Sequence, residues 1–580
     1  MKLNGLLWII GAGFIMALPK PLFAQNVFLE LNLNSPVVRT MMRPARPQRN
    51  LDVFRVIERA ANDRRINGII LNISSYHADR SAMWELRNAL EKFKSTEKKI
   101  VAFISNADLD MYYLASVADT IVMDDLGSLS MLGYVWGRGY AQQSLEKLGI
   151  GVRELRYQEF KSSAETFTRD SLSDADRLQY GEILDDIMTM TRDAVTTSRS
   201  WTGQEFDTII NNEFLYSARS ALDRGLIDRS GRKDAVIEAI KTITGSDEIP
   251  TFVIYGEPDS GITGSKHPYQ PRRAGNIFNR PPVIAVIYAN GATDMERGLR
   301  AWALADTIRE VSARRRVKAI VLRISSPGGS AEAANLIAEA VQAARQRIPV
   351  VVSMGSVAAS GGYWASMTAN HIVASPVTLT GSIGVIGSWF YDTGLNNRLG
   401  LTVDTIQRGD HADMNAGVIL PRRDLSNAEE ARIREYILDV YTGFTSRVAA
   451  HRNMDIERVE QAAQGRVFSG IGALNAGLID SIGGLDDAMR VARRLAEIPD
   501  DKTVAYSEYP KPRFIDRMLD RMMASEINAR IHTAHNEAAF LTAASLVSDL
   551  FLPMPLLEDL RFRLANNGRV MPILPLDSSW

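Results

Sequence analysis

Residues 317–326 read VKAIVLRISS and residues 66–75 read INGIILNISS, so an apolar run that ends in two serines occurs twice, 251 residues apart. The same offset aligns Tyr112 with Tyr363 and Asp119 with Asn370. Farther along, ALDRGLID (221–228) matches ALNAGLID (473–480), with the offset changed by one residue. This spacing is far too long for a solenoid repeat, and it indicates a tandem duplication of a domain of about 220 residues.

Each copy alternates short apolar runs with segments of helical period. AIVLRIS (319–325) and PVVVSMG (349–355) are short and rich in β-branched residues, as buried strands are. Between them, AEAANLIAEAVQAARQ (331–346) places its apolar residues on one helical face. A strand, a helix and a strand in this order predict an α/β fold with a parallel sheet and right-handed crossovers.

The duplication and composition shifts divide the chain into five predicted parts. They are an N-terminal signal peptide or anchor (1–24), a first repeat (25–246), a Gly/Pro/Ser-rich linker (247–282), a second repeat (283–498) and a helical C-terminal extension (499–580). The apolar face of this extension favours an oligomer contact over a membrane-binding element.

The N-terminus and the composition restrict the class of protein. The apolar run from Gly5 to Leu18 is shorter than the roughly twenty residues of a spanning helix, and its length is typical of a signal peptide. Cleavage after Ala24, an uncleaved anchor and a buried first helix are the alternatives; we expect an exported protein. The net charge of −1 gives no electrostatic reason to expect nucleic acid, and the absence of cysteine excludes thiol catalysis, disulfides and thiolate metal sites.

The two copies differ where catalysis would occur. In SVAASGGYW (356–364), Ser360 follows a predicted strand, whereas the aligned residue of the first copy is Leu109. The glycines of SSPGGS (325–330) are absent from the aligned SSYHAD. The first copy instead has Lys161, in a segment whose counterpart carries Ala412. One copy therefore offers a candidate nucleophile and the other a candidate base.

These residue types suffice for nucleophilic catalysis. A serine hydroxyl needs a base, and lysine serves only when neutral, so its pKa must lie well below its usual range. Burial at an apolar interface between the two copies would disfavour the ammonium. The backbone N–H groups of Gly329 and Gly361 are candidate donors of an oxyanion hole. Ser382, in TLTGSIGVIG (378–387), is a candidate for orienting the lysine amine.

At these motifs the sequence resembles the signal peptide peptidase A family, also called protease IV, in its long duplicated form within the ClpP/crotonase superfamily. SSPGGS, AASGGYW, TGSIGVIG and the earlier FKS carry the resemblance, which covers about residues 30 to 495. It implies a serine endopeptidase, associated with the inner membrane and facing the periplasm, that degrades released signal peptides. It also implies a bowl-shaped homotetramer without cofactors, with Ser360 as nucleophile, Lys161 as general base and Ser382 as the lysine-orienting residue. The family often has an asparagine where this chain has Ser325.

Other interpretations remain open from the sequence. Ser360 in a glycine-rich turn is also typical of a helix cap, and the glycines could be packing residues. A crotonase-type acyl-thioester enzyme and an inactive scaffold that binds membrane proteins are the alternative functions. His371 lies eleven residues after Ser360 and is interpreted as structural, while His532 and His535 lack a third metal ligand. The sequence leaves open whether Lys161 serves the serine of its own chain or of a neighbour.

Overall fold

The computed structural model describes residues 26–33, 50–74, 79–254, 280–510 and 570–571. The predicted signal peptide or anchor, most of the predicted linker, and residues 511–569 with His532 and His535 lie outside these ranges. Within them, no helix is both long and apolar enough to cross a lipid bilayer.

The first repeat alternates strands with helices. Its elements are β1 (Val27–Asn32), α1 (Asn50–Asn62), β2 (Ile66–Asn72), α2 (Arg80–Lys94), β3 (Lys99–Ala107), α3 (Leu109–Ala115), β4 (Thr120–Ser130), α4 (Gln142–Leu148), β5 (Ile150–Arg156), α5 (Glu165–Thr168), α6 (Asp174–Arg199), α7 (Gly203–Thr208), a π-helical turn (Ile209–Glu213), β6 (Leu215–Ser217), α8 (Ala218–Asp223), β7 (Arg229–Ser230), α9 (Lys233–Thr244) and β8 (Thr251–Ile254).

The second repeat follows the same plan. Its elements are β9 (Val283–Asn290), α10 (Ala301–Ser312), β10 (Val317–Ser326), α11 (Ala331–Arg345), β11 (Val350–Ala359), α12 (Gly361–Ser366), β12 (His371–Ala374), β13 (Leu379–Gly381), β14 (Ile386–Asp392), α13 (Leu395–Leu399), a 3-10 turn (Ala412–Asn415), α14 (Asn427–Arg452), α15 (Ile456–Ala462), β15 (Val467–Phe468), α16 (Gly470–Asn475), β16 (Ser481–Ile482), α17 (Leu485–Leu495) and β17 (Ala505–Tyr509). A further short strand, β18 (Val570–Met571), follows.

The two main sheets have equivalent strand orders, as a duplication requires. The first runs β6-β4-β3-β2-β1-β8 and the second β15-β13-β11-β10-β9-β17. The central strands are parallel, and β6 and β15 are the antiparallel edges. The Tyr112 hydroxyl donates to the carbonyl oxygen of Leu226 at 2.7 Å, and that of Tyr363 donates to the carbonyl oxygen of Leu478 at 2.9 Å. The predicted α/β fold class is therefore confirmed.

The central strands are buried on both faces, because helices cover each side of the parallel sheet. In β10, Leu322 and Ile324 belong to the larger core cluster, whereas Ala319 and Val321 pack on the opposite face against α17. This two-sided burial explains why β10 reads as a continuous apolar run. The same packing holds the carboxyl ends of β10 and β11 in place. β10 leads into the glycine loop, and β11 leads into Ser360.

A third, smaller sheet joins the repeats. β5 from the first repeat pairs antiparallel with β14 from the second through seven residue pairs, from Ile150 with Asp392 to Arg156 with Ile386. β18 pairs with β14 on its other side. Because β5 leads directly into the segment that carries Lys161, this pairing brings the lysine to the second repeat.

Two strands lie where the sequence predicted other structure. β8, at residues 251–254, falls in the predicted linker but pairs with β1. β17, at residues 505–509, falls in the predicted helical extension but pairs with β9. Each is a short edge strand in the equivalent place of its sheet. The local periodicity of these segments is weak, and they become strands through pairing with a strand that is distant in the sequence. For this reason the sequence does not predict them.

Candidate active site

Ser360 occupies a sharp turn between strand and helix. β11 ends at Ala359 and α12 begins at Gly361, and the serine between them has φ of +56° and ψ of −113°. This is a strained conformation for a residue with a side chain. Its N–H donates to the carbonyl oxygen of Gly381 at 2.8 Å. Its side chain makes no capping hydrogen bond, so the hydroxyl of this fully buried residue does not act as a helix cap.

Lys161 reaches this serine from the first repeat of the same chain. It lies in the turn between β5 and α5 and is only 1% exposed. Its Nζ atom lies 2.6 Å from Ser360 Oγ, although 199 residues separate the two positions. The structure therefore brings the two predicted residues together within one chain.

Ser382 holds the lysine from the other side. It follows β13 with φ of +50°, and its own N–H donates to the carbonyl oxygen of Arg466 at 2.7 Å. Lys161 Nζ lies 2.9 Å from both the Oγ atom and the carbonyl oxygen of Ser382. A neutral amine has two N–H donors and one lone pair. Its donors can serve Ser382, which leaves the lone pair for the hydroxyl hydrogen of Ser360.

Two glycines to which the sequence alone assigns no role make room for the lysine. A Cβ at Gly465 would lie 2.5 Å from the Cβ of Lys161, and one at Gly384 would lie 3.2 Å from its Cδ. Gly465 has φ of +83° and donates its N–H to the carbonyl oxygen of Ile383 at 2.8 Å. These glycines let the backbone of the second repeat approach the lysine closely. From sequence Gly465 is an ordinary loop glycine, whereas Gly384 lies in the TGSIGVIG motif; the contact between the repeats reveals the purpose of both.

The two predicted oxyanion donors are neighbours. A Cβ on Gly361 would lie 3.3 Å from the backbone nitrogen of Gly329. Within the described ranges, the N–H groups of both glycines have no protein acceptor. A third residue, Thr293, holds the Gly329 loop: its N–H donates to the carbonyl oxygen of Gly328, and its own carbonyl oxygen accepts from the N–H of Ser330, both at 2.7 Å. Thr293 follows β9 in a loop that carries no motif.

The other sequence candidates lie elsewhere. His371 Nε2 lies 2.9 Å from Ser481 Oγ, and burial lowers the pKa of this histidine. His371 pairs with Val351 of β11, and Val351 lies nine residues before Ser360. His371 and Ser360 are therefore more than about 20 Å apart along the strand direction. Ser325 Oγ lies 3.4 Å from Ser356 Oγ. Across the described residues there is no cluster of metal-ligating side chains.

A buried lysine amine in contact with a strained serine, beside two backbone N–H donors, can activate a serine nucleophile without a histidine. Together with the α/β fold, this arrangement fits the class of serine proteases. Sequence comparison supports this assignment. The profile of peptidase family S49 matches residues 92–245 and 342–499, one stretch in each repeat and together more than half of the chain. The chain belongs to peptidase family S49.

Individual relatives are similar over most of the chain. The chloroplastic serine protease SPPA of Arabidopsis thaliana is 31% identical over 463 residues, which cover 78% of this chain and 67% of that protein. Protease 4 of Salmonella typhi is 31% identical over 488 residues, which cover 82% of this chain and 76% of that protein. The resemblance to signal peptide peptidase A is therefore confirmed. A solved structure of a membrane-bound stomatin-specific protease with a substrate peptide covers 42% of this chain and 98% of its own, at 15% identity and a TM-score of 0.27.

Proposed function

We propose that this chain is a membrane-associated endopeptidase in which Ser360 is the nucleophile and Lys161 the general base. The observation that carries the proposal is the 2.6 Å contact between Lys161 Nζ and Ser360 Oγ in a buried environment. Burial disfavours a charged ammonium, which is the condition for a lysine to accept a proton. Ser382 orients the amine through its hydroxyl and its carbonyl oxygen.

The first half of the reaction forms an acyl-enzyme. Ser360 Oγ attacks the carbonyl carbon of a peptide bond while its proton passes to the neutral amine of Lys161. The N–H groups of Gly329 and Gly361 stabilise the negative oxygen that develops on the substrate. When the C–N bond breaks, the ammonium of Lys161 returns the proton to the departing amine. The substrate carbonyl remains joined to Ser360 as an ester, and Lys161 is neutral again.

The second half regenerates the serine. A water molecule attacks the ester carbonyl while one of its protons passes to Lys161, and the same backbone donors stabilise the oxygen. The intermediate then expels Ser360 Oγ, which recovers its proton from the lysine as the peptide acid leaves. One lysine therefore serves as base and acid in both halves.

The proposed substrates are extended apolar peptides, and cleaved signal peptides above all. Family membership and the apolar N-terminal segment support a site at the inner membrane with the catalytic part on the periplasmic side. The proposal also includes a homotetramer. Each chain has two repeats (25–246 and 283–498), which lie between an N-terminal segment and a C-terminal extension. No cofactor takes part in this chemistry.

A fluorophosphonate probe tests the assignment of the nucleophile. We expect the full chain to be labelled at Ser360, as peptide mass spectrometry of the adduct would show. We expect Ser360→Ala to be unlabelled and Lys161→Met to react at least about a hundredfold more slowly, since the hydroxyl then lacks its base. His371→Ala is the matched control and should be labelled at the wild-type rate. Labelling of a different serine, or an unchanged rate in Lys161→Met, would reject the proposed dyad.

A further inference from the structure

A group of buried charged side chains adjoins the lysine segment and has no role in the reaction described above. Arg138 comes from the loop before α4, Glu165 from α5 and Asp176 from the start of α6. The Arg138 side chain is 3% exposed, and those of Glu165 and Asp176 are fully buried. Buried charges are costly unless they are paired, so such a group needs a reason to be present.

Arg138 and Asp176 both form hydrogen bonds with Ser162, the residue that follows the lysine. Arg138 Nη1 donates to the carbonyl oxygen of Ser162 at 2.9 Å, and Nη2 donates to its Oγ atom at 3.2 Å. The Ser162 hydroxyl donates to Asp176 Oδ1 at 2.5 Å. Gln179 Nε2 also donates to that oxygen, at 2.7 Å, and Gln179 Oε1 accepts from the N–H of Val467 in the second repeat at 2.9 Å. The backbone beside Lys161 is thus fixed from two sides and connected to the opposite repeat.

The same arginine compensates the negative charge of this group. Its Nη1 atom lies 2.7 Å from Asp176 Oδ2 and 3.8 Å from Glu165 Oε2. Burial raises the pKa of Asp176, and the Arg138 charge opposes that effect. Buried carboxylates beside the segment that carries Lys161 favour the ammonium form of the lysine, and a cation paired with them opposes that influence in a medium of low dielectric constant.

We propose that Arg138 is a positioning residue that fixes the Lys161 segment and offsets the Asp176 and Glu165 carboxylates, so that the lysine is available as a neutral base. This inference rests on the proposed Ser360 and Lys161 dyad and adds the residue that sets its working pH. Arg138 contacts Ser162 rather than the reacting atoms, so it acts through the lysine.

Other charged and titratable groups face the lysine segment and contribute to the same field. They are Tyr140 in the loop of Arg138, Glu154 and Arg156 on β5, Glu159 in the turn, Arg169 after α5, Glu182 on α6, Arg434 on α14, and Arg466 before β15. Arg156 Nη1 donates to Glu165 Oε1 at 2.8 Å, so Glu165 has a second cation. Asp176 is paired with Arg138 alone among the described arginines and lysines, and for this reason it is the carboxylate to remove in the test.

The test is the pH dependence of kcat/KM for a fluorogenic apolar peptide, measured on the full chain. The acid limb of this profile reports protonation of the base in the free enzyme. We expect Arg138→Met to move that limb to higher pH by about half a pH unit or more, because Asp176 then loses its cation and Glu165 loses one of its cations. Adding Asp176→Asn to Arg138→Met should move it back toward the wild-type position. Arg138→Lys keeps the charge and should hold the limb in place, even where it lowers the rate.

A merely structural role would lower the rate in each of these variants without moving the limb in this pattern. An unmoved limb in folded Arg138→Met, or a double variant that stays shifted, would overturn the inference. If Arg138→Met does not fold, the single variant Asp176→Asn carries the test: it keeps Arg138 and removes the carboxylate paired with it, so the limb should move to lower pH, and an unmoved or raised limb would overturn the inference. Full activity of Lys161→Ala would instead reject the dyad itself, and this separates the two failures.

Discussion

The Nζ atom of Lys161 in the first repeat lies 2.6 Å from the Oγ atom of Ser360 in the second. Neither repeat holds such a pair by itself, because Leu109 stands in the first repeat at the position aligned with Ser360, and Ala412 stands in the second at the position aligned with Lys161. The pairing of β5 with β14 brings the two residues together. The duplicated fold therefore has one candidate site at the junction of its repeats, and each half supplies what the other lacks.

Gly465→Ala should displace the lysine without unfolding the chain. The new Cβ would lie 2.5 Å from the Cβ and 2.6 Å from the backbone nitrogen of Lys161, so the lysine segment has to move. Because misplacement of a catalytic group by about 1 Å costs about a hundredfold, we expect kcat/KM to fall by that factor or more. The measurement is peptide cleavage, with circular dichroism to check the fold.

Gly225→Ala is the matched control for this substitution. Gly225 also has positive φ, +70° against +83° for Gly465, but no atom lies within 4 Å of its added Cβ. Both variants bear the backbone strain of about 1 kcal/mol, and only Gly465→Ala meets the lysine. Equal activity in the two variants would show that the close approach at Gly465 does not matter.

Ser382→Ala should weaken catalysis less than loss of the lysine. The substitution removes the hydroxyl that lies 2.9 Å from Lys161 Nζ but keeps the carbonyl oxygen at the same distance. Since a positioned proton transfer contributes about 10²–10⁴-fold and one of two orienting contacts remains, we expect a loss of about tenfold to a hundredfold in kcat/KM. A loss as large as that of Lys161→Ala would mean that Ser382 does more than orient the amine.

Gly329→Ala tests the proposed oxyanion hole. A Cβ at this position would lie 2.3 Å from the carbonyl oxygen of Thr293, so the loop has to turn and its N–H has to leave the site. Loss of one oxyanion donor costs about 10²–10³-fold in kcat. We expect that loss with little change in KM, because the donor acts mainly in the transition state. A change confined to KM would assign Gly329 to substrate binding instead.

Acidification should open the segment that leads into α14 and the first turn of that helix. Hydrogen bonds from Arg423 hold the pKa of Asp413 at about 2 and that of Glu429 well below its usual range. Carboxyls with a lowered pKa stabilise the folded state above their usual pKa, and this stabilisation is lost as the pH falls from about 4. Hydrogen exchange corrected for intrinsic rates should therefore accelerate in residues 412–430 over that range. Asp413→Asn should already exchange faster near neutral pH, and a segment that is protected equally at all pH values would contradict this account.

The sequence predicts the buried strands, which occur in both repeats, and the site residues that lie in the glycine-rich motifs beside them. β10 and β11 read as buried strands because both of their faces are apolar, and Ser360, Gly361 and Ser382 lie in motifs next to them. Lys161 is predicted from the difference between the two copies and from the FKS segment of the resemblance. In contrast, Arg138, Gly465 and Thr293 act through contacts with segments distant in the chain, so no local pattern distinguishes them. The edge strands β8 and β17 are defined by pairing for the same reason.

The most direct test is cleavage of a fluorogenic apolar peptide by the full chain and by its Ser360→Ala and Lys161→Ala variants, with the fold of each checked by circular dichroism. We expect the wild type to cleave and each folded variant to lose at least about a thousandfold in kcat/KM, because the two residues act as a unit. The double variant should then lose no more than either single one. Full activity in folded Lys161→Ala would contradict the account, since the nucleophile would then have another base.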